Sequence, residues 1–247
     1  MSDAAQFSAD DGSDRDLVDR IAAAVAQLPL ASRGSRWTSL SACVIDAVWS
    51  LGSHYRGVVV PLVHRLLIPA ADGDLTAIEL PTADPHPLSR LLERFPDEDA
   101  LLEAADNRQL TSTRNGITKA AAVLQFASIL VQHGLDDLDS AGRALSDGPR
   151  VQSIDRALAR VPGEGHHGIR RGYFWMLCGD DERIKPDRMV LRWLRPFGVT
   201  DPARAHQVLV DVASFLTEQA GEGHPRVTPW QVDHAIWLAA RSKGKRS

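Results

Sequence analysis

Apolar residues recur at steps of three and four along most of this 247-residue chain, and that period limits the fold more than any other feature of the sequence. Leu17, Ile21 and Leu28 begin the pattern, and their spacing puts them on one face of a helix. A strand-like run at 58–60 falls inside a helical period. We therefore expect an all-α fold. In chain order, the pattern predicts helices over about 16–28, 39–51, 55–67, 88–95, 98–105, 117–133, 153–160, 166–178, 188–197, 202–220 and 228–241.

Composition divides the chain into segments. Ser and Asp are abundant in residues 1–14, which lack a helical period, and this favours disorder there. Four prolines between residues 69 and 87 indicate an irregular connection. The expected organisation is a disordered acidic tail over 1–14, an N-terminal helix and linker over 15–37, a helical subdomain over 38–147, a second subdomain with the C-terminal helices over 148–241 and a basic tail over 242–247.

The composition also argues against several classes of protein. Two cysteines, Cys43 and Cys178, exclude a four-thiolate iron–sulfur cluster within the chain and argue against a Cys-rich zinc site. The acidic N-terminus is unlike a signal peptide, and the apolar run 57–63 is too short to cross a membrane. We expect a monomer in the cytoplasm, or at the nucleoid in a bacterial cell, with no cofactor, metal or membrane partner.

A Gly-x-Gly turn lies between two predicted helices, in the segment 161–168. Glycine lets the backbone approach a ligand closely because it has no side chain. The amides and the dipole at the start of the following helix suit a phosphate group. The segment is therefore a candidate clamp for the DNA backbone, and a plain turn between helices is the alternative. Its candidate DNA contacts are Gly163, Gly165, His166, His167, Gly168 and Arg170.

Asp187 follows this turn by about twenty residues and immediately precedes a predicted helix. An Asp in that position is a typical helix N-cap, and Pro186 before it fits that role. A capping carboxylate can still direct one oxygen into a cleft. The capping and the functional interpretations of Asp187 are therefore compatible.

Cations surround Asp187 although the net charge of the chain is −4. The segment 183–195, which includes Lys185, holds five cations and one acid. Arg188, Arg192 and Arg195 share one face of the predicted helix because of their spacing. A basic surface near a phosphate-binding turn favours a nucleic-acid partner, and a solvated charged face is the alternative.

The combined pattern resembles the endonuclease III-like, helix-hairpin-helix DNA glycosylases. Residues 161–165 are similar to the Leu-Pro-Gly-Val-Gly hairpin of that family, and 184–192 to the segment in which an aspartate precedes a helix. The spacing of the two pieces also fits, and the similarity extends over about 115–197. The resemblance implies two helical subdomains, a helix-hairpin-helix motif and a DNA-binding cleft between the subdomains. It also implies double-stranded DNA as the partner and base flipping before the reaction.

In that family Asp187 matches the catalytic aspartate, which stabilises the developing oxocarbenium ion and orients or deprotonates the attacking water. Members that cleave the strand carry a lysine in the hairpin, and His167 takes that position here. Because a Schiff base requires an amine, the resemblance implies a monofunctional enzyme that hydrolyses the N-glycosidic bond. Gly52 takes the position at which some members insert a Gln into the DNA. His54 and Tyr55 are then candidates for the base pocket by position only, with an ordinary helix end as the alternative.

Three hypotheses remain open from the sequence. The first is a monofunctional DNA glycosylase that removes a damaged or modified base. The second is a non-catalytic helix-hairpin-helix DNA-binding protein, which the missing lysine and Gly52 favour. The third is a structural helical protein in which the hairpin is a turn and Asp187 a cap.

Overall fold

A computed structural model describes residues 4–68, 74–163 and 168–243, and it is mostly helical as predicted. A π-helical turn over Tyr55–Val59 precedes α3, and a 3₁₀ turn over Arg195–Phe197 follows α10. Two short strands, β1 (Arg36–Trp37) and β2 (Thr76–Ala77), pair antiparallel. In these described residues the helices are α1 (Ala4–Val25), α2 (Leu40–Trp49), α3 (Val60–Leu67), α4 (Leu88–Arg94), α5 (Glu98–Ala105), α6 (Lys119–Gln132), α7 (Leu138–Leu145), α8 (Gly148–Leu158), α9 (Ile169–Cys178), α10 (Arg188–Leu194), α11 (Pro202–Ala220) and α12 (Pro229–Lys243).

Short polar side chains begin many of these helices. Each accepts a hydrogen bond from a backbone N–H of the first turn, which would otherwise lack a partner. At α7 the cap is reciprocal, because Ser140 also bonds back to the N–H of Asp137. The capping residues are Ser39 for α2, Asp97 for α5, Thr118 for α6, Asp137 for α7, Asp147 for α8, Asp187 for α10 and Asp201 for α11.

The chain divides into two compact units. Unit 2, residues 34–180, has α2 at its centre, and every residue of that helix is buried. Helices α3, α4, α6 and α9 pack around it. A helix that is apolar on all sides is stable only in such a position, and full burial of each large apolar side chain stabilises the fold by about 1.5–3 kcal/mol.

Unit 1 combines the two ends of the chain, residues 1–33 and 181–247. Helix α1 packs along α11, and both α10 and α11 pack against α12. Each helix directs an apolar stripe inward. The core of unit 1 includes Ile21, Val25, Val190, Leu194, Val208, Val212, Val232 and Ile236.

The observed division differs from the predicted organisation. No division falls at the predicted boundary between 147 and 148, because α8 and α9 join the core of unit 2 through Ile154, Phe174 and Trp175. The segment 1–14 was expected to be disordered, but α1 begins at Ala4, and residues 1–3 lie outside the described part. Alanine favours helix, and Ala4, Ala5 and Ala9 lie in this N-terminal part of α1.

The C-terminal basic segment, predicted as a tail over 242–247, enters α12 as far as Lys243, and residues 244–247 lie outside the described part. No helix in the described ranges is both long and apolar enough to cross a membrane.

Candidate functional site

Asp187 caps α10 with one of its two carboxylate oxygens. Its Oδ1 accepts the backbone N–H groups of Met189 at 2.7 Å and Val190 at 3.1 Å. Among the residues that the structure describes, Oδ2 accepts no hydrogen bond, and the side chain is partly exposed. The predicted cap is therefore confirmed, and it leaves one charged oxygen able to meet a ligand.

The loop before Asp187 is fixed to unit 1 by charged contacts. Arg33 donates to Asp181 Oδ1 at 2.6 Å, and Arg226 makes a two-point contact with Glu182 at 2.7 and 2.8 Å. Ile184 is buried in the core of the unit. The start of the loop is thus held by Arg33 and Arg226, and its end leads directly into α10, which positions Asp187 within unit 1.

A second carboxylate lies near Asp187, and sequence patterns assigned it no role. Asp233, on α12, is only 6% exposed and accepts the backbone N–H of Lys185. Burial raises the pKa of Asp233 well above its usual value, and the negative charge of Asp187 raises it further. No local motif marks Asp233, because it becomes a neighbour of Asp187 only when α10 packs on α12.

The predicted basic face is present on α10. Arg188 and Arg195 are exposed, and Arg192 is exposed but also donates to the Ala240 carbonyl at 3.1 Å, near the end of α12. Lys185 is partly exposed and belongs to the same loop as Asp187. Asp187 therefore sits among cations whose charges attract a polyanion.

The hairpin segment belongs to unit 2, where α8 and α9 flank residues 159–168. Gly163 has φ +80°, and a Cβ there would lie 2.1 Å from Thr111 Cβ. The glycine is therefore required by packing against Thr111, in addition to the backbone approach that was expected of it. Gly165, His166 and His167 lie outside the described residues.

Arg170 does not reach the surface, which corrects its prediction as a DNA contact. It is 1% exposed, and its guanidinium donates to the carbonyls of Val161 at 2.6 Å and Pro162 at 3.0 Å. A buried cation needs such partners, since burial removes its hydration. Arg170 thus supports the first half of the hairpin from inside.

The start of α9 differs from the Asp-capped helices. Its N-cap is Gly168 with φ +70°, and in the described part no side chain caps the helix. Arg171 lies over this turn, since a Cβ on Gly168 would be 2.8 Å from Arg171 Nη2. Arg171 Nη1 also donates to the Asp155 carbonyl at 2.9 Å, so this arginine joins the start of α9 to α8.

The predicted base-pocket residues share one turn between α2 and α3 of unit 2. Gly52 is exposed with φ +73°, and His54 Nδ1 accepts the N–H of Gly57 at 2.9 Å. Tyr55 donates to the buried Asp46 at 3.2 Å, so its hydroxyl has a partner inside the unit. His54 and Tyr55 therefore have local structural roles, and only their remaining surface is open to a base.

The chain has four lysines: Lys119, Lys185, Lys243 and Lys245. Lys119 is 3% exposed, and its Nζ donates to the carbonyls of Trp49 at 3.0 Å and Leu51 at 2.7 Å. Burial lowers the pKa of Lys119 to about 8. The amine nevertheless stabilises the end of α2, and its hydrogen-bond partners enclose it. An enclosed amine of this kind does not fit the role of a nucleophile.

The family described as Domain of unknown function (DUF8548) has a model that matches residues 15–241. The chain belongs to this family. The matched range includes the hairpin segment, Asp187 and Asp233, and it covers most of both compact units. No curated protein and no solved structure matches the chain.

Among the described residues, no group of three or more His, Cys, Asp or Glu side chains is arranged to hold a metal ion. The charged groups around the candidate site in unit 1 are carboxylates, arginines and Lys185. Asp187 and the α10 arginines were found from sequence, whereas Asp233 was not.

Proposed function

We propose that this chain is a monofunctional DNA glycosylase that hydrolyses the N-glycosidic bond of a base flipped out of duplex DNA. The observation that carries the proposal is the state of Asp187: its Oδ1 is engaged in the helix cap, while its Oδ2 has no partner in the described residues. A carboxylate of this kind can face the positive charge that develops on the sugar as the bond to the base breaks.

In the proposed reaction, the C1′–N bond breaks and its electron pair leaves with the base. The oxygen of a water molecule bonds to C1′, and Asp187 takes one proton from that water. The departing base acquires a proton from solvent and Asp187 returns its proton to solvent, so that one water is consumed overall. The products are a free base and an abasic site.

Two surfaces support DNA as the partner. Arg188 and Arg195 are exposed on α10, in the unit that carries Asp187. In unit 2, α9 begins at Gly168 without a side-chain cap among the described residues, which suits a backbone phosphate. Phosphate contacts of this type supply affinity that depends strongly on salt.

The absence of a lyase step is supported by the hairpin position and by Lys119. His167 occupies the position of the hairpin lysine in the family that the sequence resembles. Lys119 is enclosed by the carbonyls of Trp49 and Leu51. Borohydride should therefore trap no covalent complex with the abasic product, and strand breaks should appear only after alkali.

The test is single-turnover incubation with a panel of lesion-bearing duplexes, followed by alkali. Asp187→Asn should keep the cap, because Asn caps helices as well as Asp does, and should lower base release by about 10²–10⁴-fold. Asp201→Asn is the matched control: Asp201 caps α11 of the same unit, so this variant should retain full activity.

The panel also separates the alternatives. DNA binding at low salt with no base release by the parent chain on any duplex would support the non-catalytic DNA-binding protein. Failure to bind duplex DNA at low salt would support a purely structural role. Equal base release by the parent and by Asp187→Asn would remove Asp187 from the mechanism.

A further inference from the structure

Five planar side chains stack in one row in unit 1. The His234 ring lies between two indoles, with its centre 4.8 Å from that of Trp230 and 6.0 Å from that of Trp237, and the ring planes differ by 11° and 18°. A guanidinium carbon lies 4.3 Å from the centre of each indole, so arginines are the end members. The row consists of Arg33, Trp230, His234, Trp237 and Arg241. Its last four members recur at steps of three and four along α12, so they share one face of that helix.

The two ends of this row differ in charge. Arg33 Nε donates to Asp181 Oδ1 at 2.6 Å, and the Arg33 side chain is 18% exposed, so an acid neutralises this end. Burial, and then the charge of Arg33, lowers the pKa of His234, so the middle of the row is uncharged at neutral pH. Arg241 is partly exposed, and no acid in the described part of the chain pairs with it. The described residues thus leave the charge of Arg241 uncompensated.

The basic face of α10 adjoins this uncompensated end. Arg192 is exposed, and its Nη2 donates to the Ala240 carbonyl at 3.1 Å, one residue before Arg241. Carbonyls in the last turn of a helix lack a partner within the helix, so they accept such a donor. Within the described ranges, no acid pairs with Arg188, Arg192 or Arg195. Contact between Arg192 and Ala240 therefore joins the cations of α10 to the end of α12.

Elsewhere in the same unit, arginines are paired with acids. The pairs are Arg20 with Asp16, Arg204 with Asp14 and Arg226 with Glu182. Cations without acid partners are thus concentrated on α10 and at the end of α12. The sequence adds to this charge, because residues 241–247 hold four cations and no acid. A concentration of uncompensated positive charge is complementary to a polyanion.

We propose that Arg241, stacked on Trp237, binds a backbone phosphate of duplex DNA, and that the end of α12 thereby extends the DNA-binding surface of α10. The inference rests on the proposed function for the choice of duplex DNA as the polyanion. The contact with Trp237 uses the face of the guanidinium and leaves the N–H groups at its edge able to donate to phosphate oxygens. Because the stack orients Arg241 before DNA arrives, less side-chain freedom is lost on binding.

The test is fluorescence anisotropy of the full chain with an undamaged duplex at several salt concentrations. Arg241→Ala should weaken binding by about three- to tenfold and reduce the slope of log K against log salt by about 1, because one phosphate contact is lost. Arg241→Lys keeps the charge, so it should keep the slope, but it should weaken binding because a lysine lacks the planar fork of donors.

Arg20→Ala is the matched control. It also removes one exposed arginine of unit 1, but one that pairs with Asp16, so it should leave the slope unchanged. The Arg241 variants should melt at the temperature of the parent chain, since their changes lie on the surface of α12. A slope for Arg241→Ala equal to that of the parent would overturn the proposal, whatever the variant does to binding of single-stranded DNA.

The measurement is independent of base release because the duplex contains no lesion. A reduced slope for Arg241→Ala would support the surface even if the parent released no base from any duplex. Base release by the parent together with an unchanged slope would overturn the surface and leave the role of Asp187 intact. Failure of the parent chain to bind the duplex at low salt would overturn the surface directly.

Discussion

Gly163 lies so close to Thr111 that a Cβ on the glycine would be 2.1 Å from the threonine Cβ. The contact joins the hairpin segment to the loop before α6, within unit 2. The backbone at Gly163 also has φ +80°, a conformation that residues with a side chain rarely adopt. Two independent constraints therefore act on one residue.

Replacing Gly163 with alanine should destabilise unit 2 by about 2–5 kcal/mol, which is the sum of the backbone strain and the steric overlap. Gly52→Ala is the matched control, since Gly52 has φ +73° but has nothing within 4 Å of the added Cβ. It should cost only about 1–2 kcal/mol. Urea unfolding followed by circular dichroism measures both values, and equal losses would show that the Thr111 contact is unimportant.

Both tyrosines of the chain, Tyr55 and Tyr173, donate to one buried carboxylate. Their hydroxyls reach Asp46 Oδ2 at 3.2 and 3.4 Å. Burial, followed by the charge of Asp46, raises the pKa of each phenol. The ultraviolet tyrosinate signal should therefore be absent at pH 10 in the folded protein, although a free phenol is about half ionised there.

The raised pKa of both phenols also predicts how the free energy of unfolding changes with pH above neutrality. The folded protein keeps two phenol protons that the unfolded chain loses above about pH 10. The stability from these protons is thus fully present below pH 10 and is lost as the pH rises toward the folded values. Asp46→Asn should bring the tyrosinate midpoint closer to 10. Asp155→Asn is the control, because Asp155 accepts from Trp175 in the same unit, and it should leave the midpoint unchanged.

Arg188, beside Asp187 in unit 1, and Arg90, on α4 of unit 2, should differ in their contribution to DNA binding. Arg188 is exposed beside Asp187, so Arg188→Ala should weaken binding to any duplex and reduce the slope of log K against log salt by about 1. Arg90→Ala, an exposed arginine on α4, is the control and should leave the slope unchanged. Fluorescence anisotropy at several salt concentrations measures both, and an equal slope for all three proteins would exclude the α10 face.

Arg170→Met should lower the stability of the protein without changing its DNA binding. Removing the guanidinium leaves the Val161 and Pro162 carbonyls without their donor, at a cost of about 1.5–3 kcal/mol for each bond to a charged group. The melting temperature should fall, while the salt slope for DNA binding should stay as in the parent. A stable variant with a smaller salt slope would restore Arg170 as a phosphate contact.

Local patterns were sufficient for much of the fold. The predicted helix over 39–51 corresponds to α2, and Ser39 Oγ caps it by accepting the N–H of Ala42 at 3.1 Å. The predicted helix over 117–133 corresponds to α6, and Gly134 follows it with φ +74°. Such features depend on a few neighbouring residues. Helix α7 was not predicted, and an irregular connection was expected where β2 pairs with β1.

Contacts between residues that are far apart in the chain could not be predicted from the sequence, for a physical reason. The sequence period locates an apolar stripe but does not say which helix covers it, so the packing of α1 with the C-terminal helices was not foreseen. Arg170 looks like a surface cation, and only the tertiary structure shows the carbonyls that make its burial possible. The proximity of Asp233 to Asp187 likewise could not be predicted, because the two residues are distant in sequence and become neighbours only in the folded unit.

The central claim is that Asp187 stabilises positive charge on the sugar, and a binding measurement tests it without knowledge of the base. The probe is a duplex with a cationic pyrrolidine at an abasic position, compared with the same duplex carrying neutral tetrahydrofuran. The parent chain and Asp201→Asn should bind the cationic duplex at least about tenfold more tightly, as expected for a transition-state mimic. Asp187→Asn should lose that preference. The same preference in Asp187→Asn as in the parent chain, or none in either, would contradict the claim.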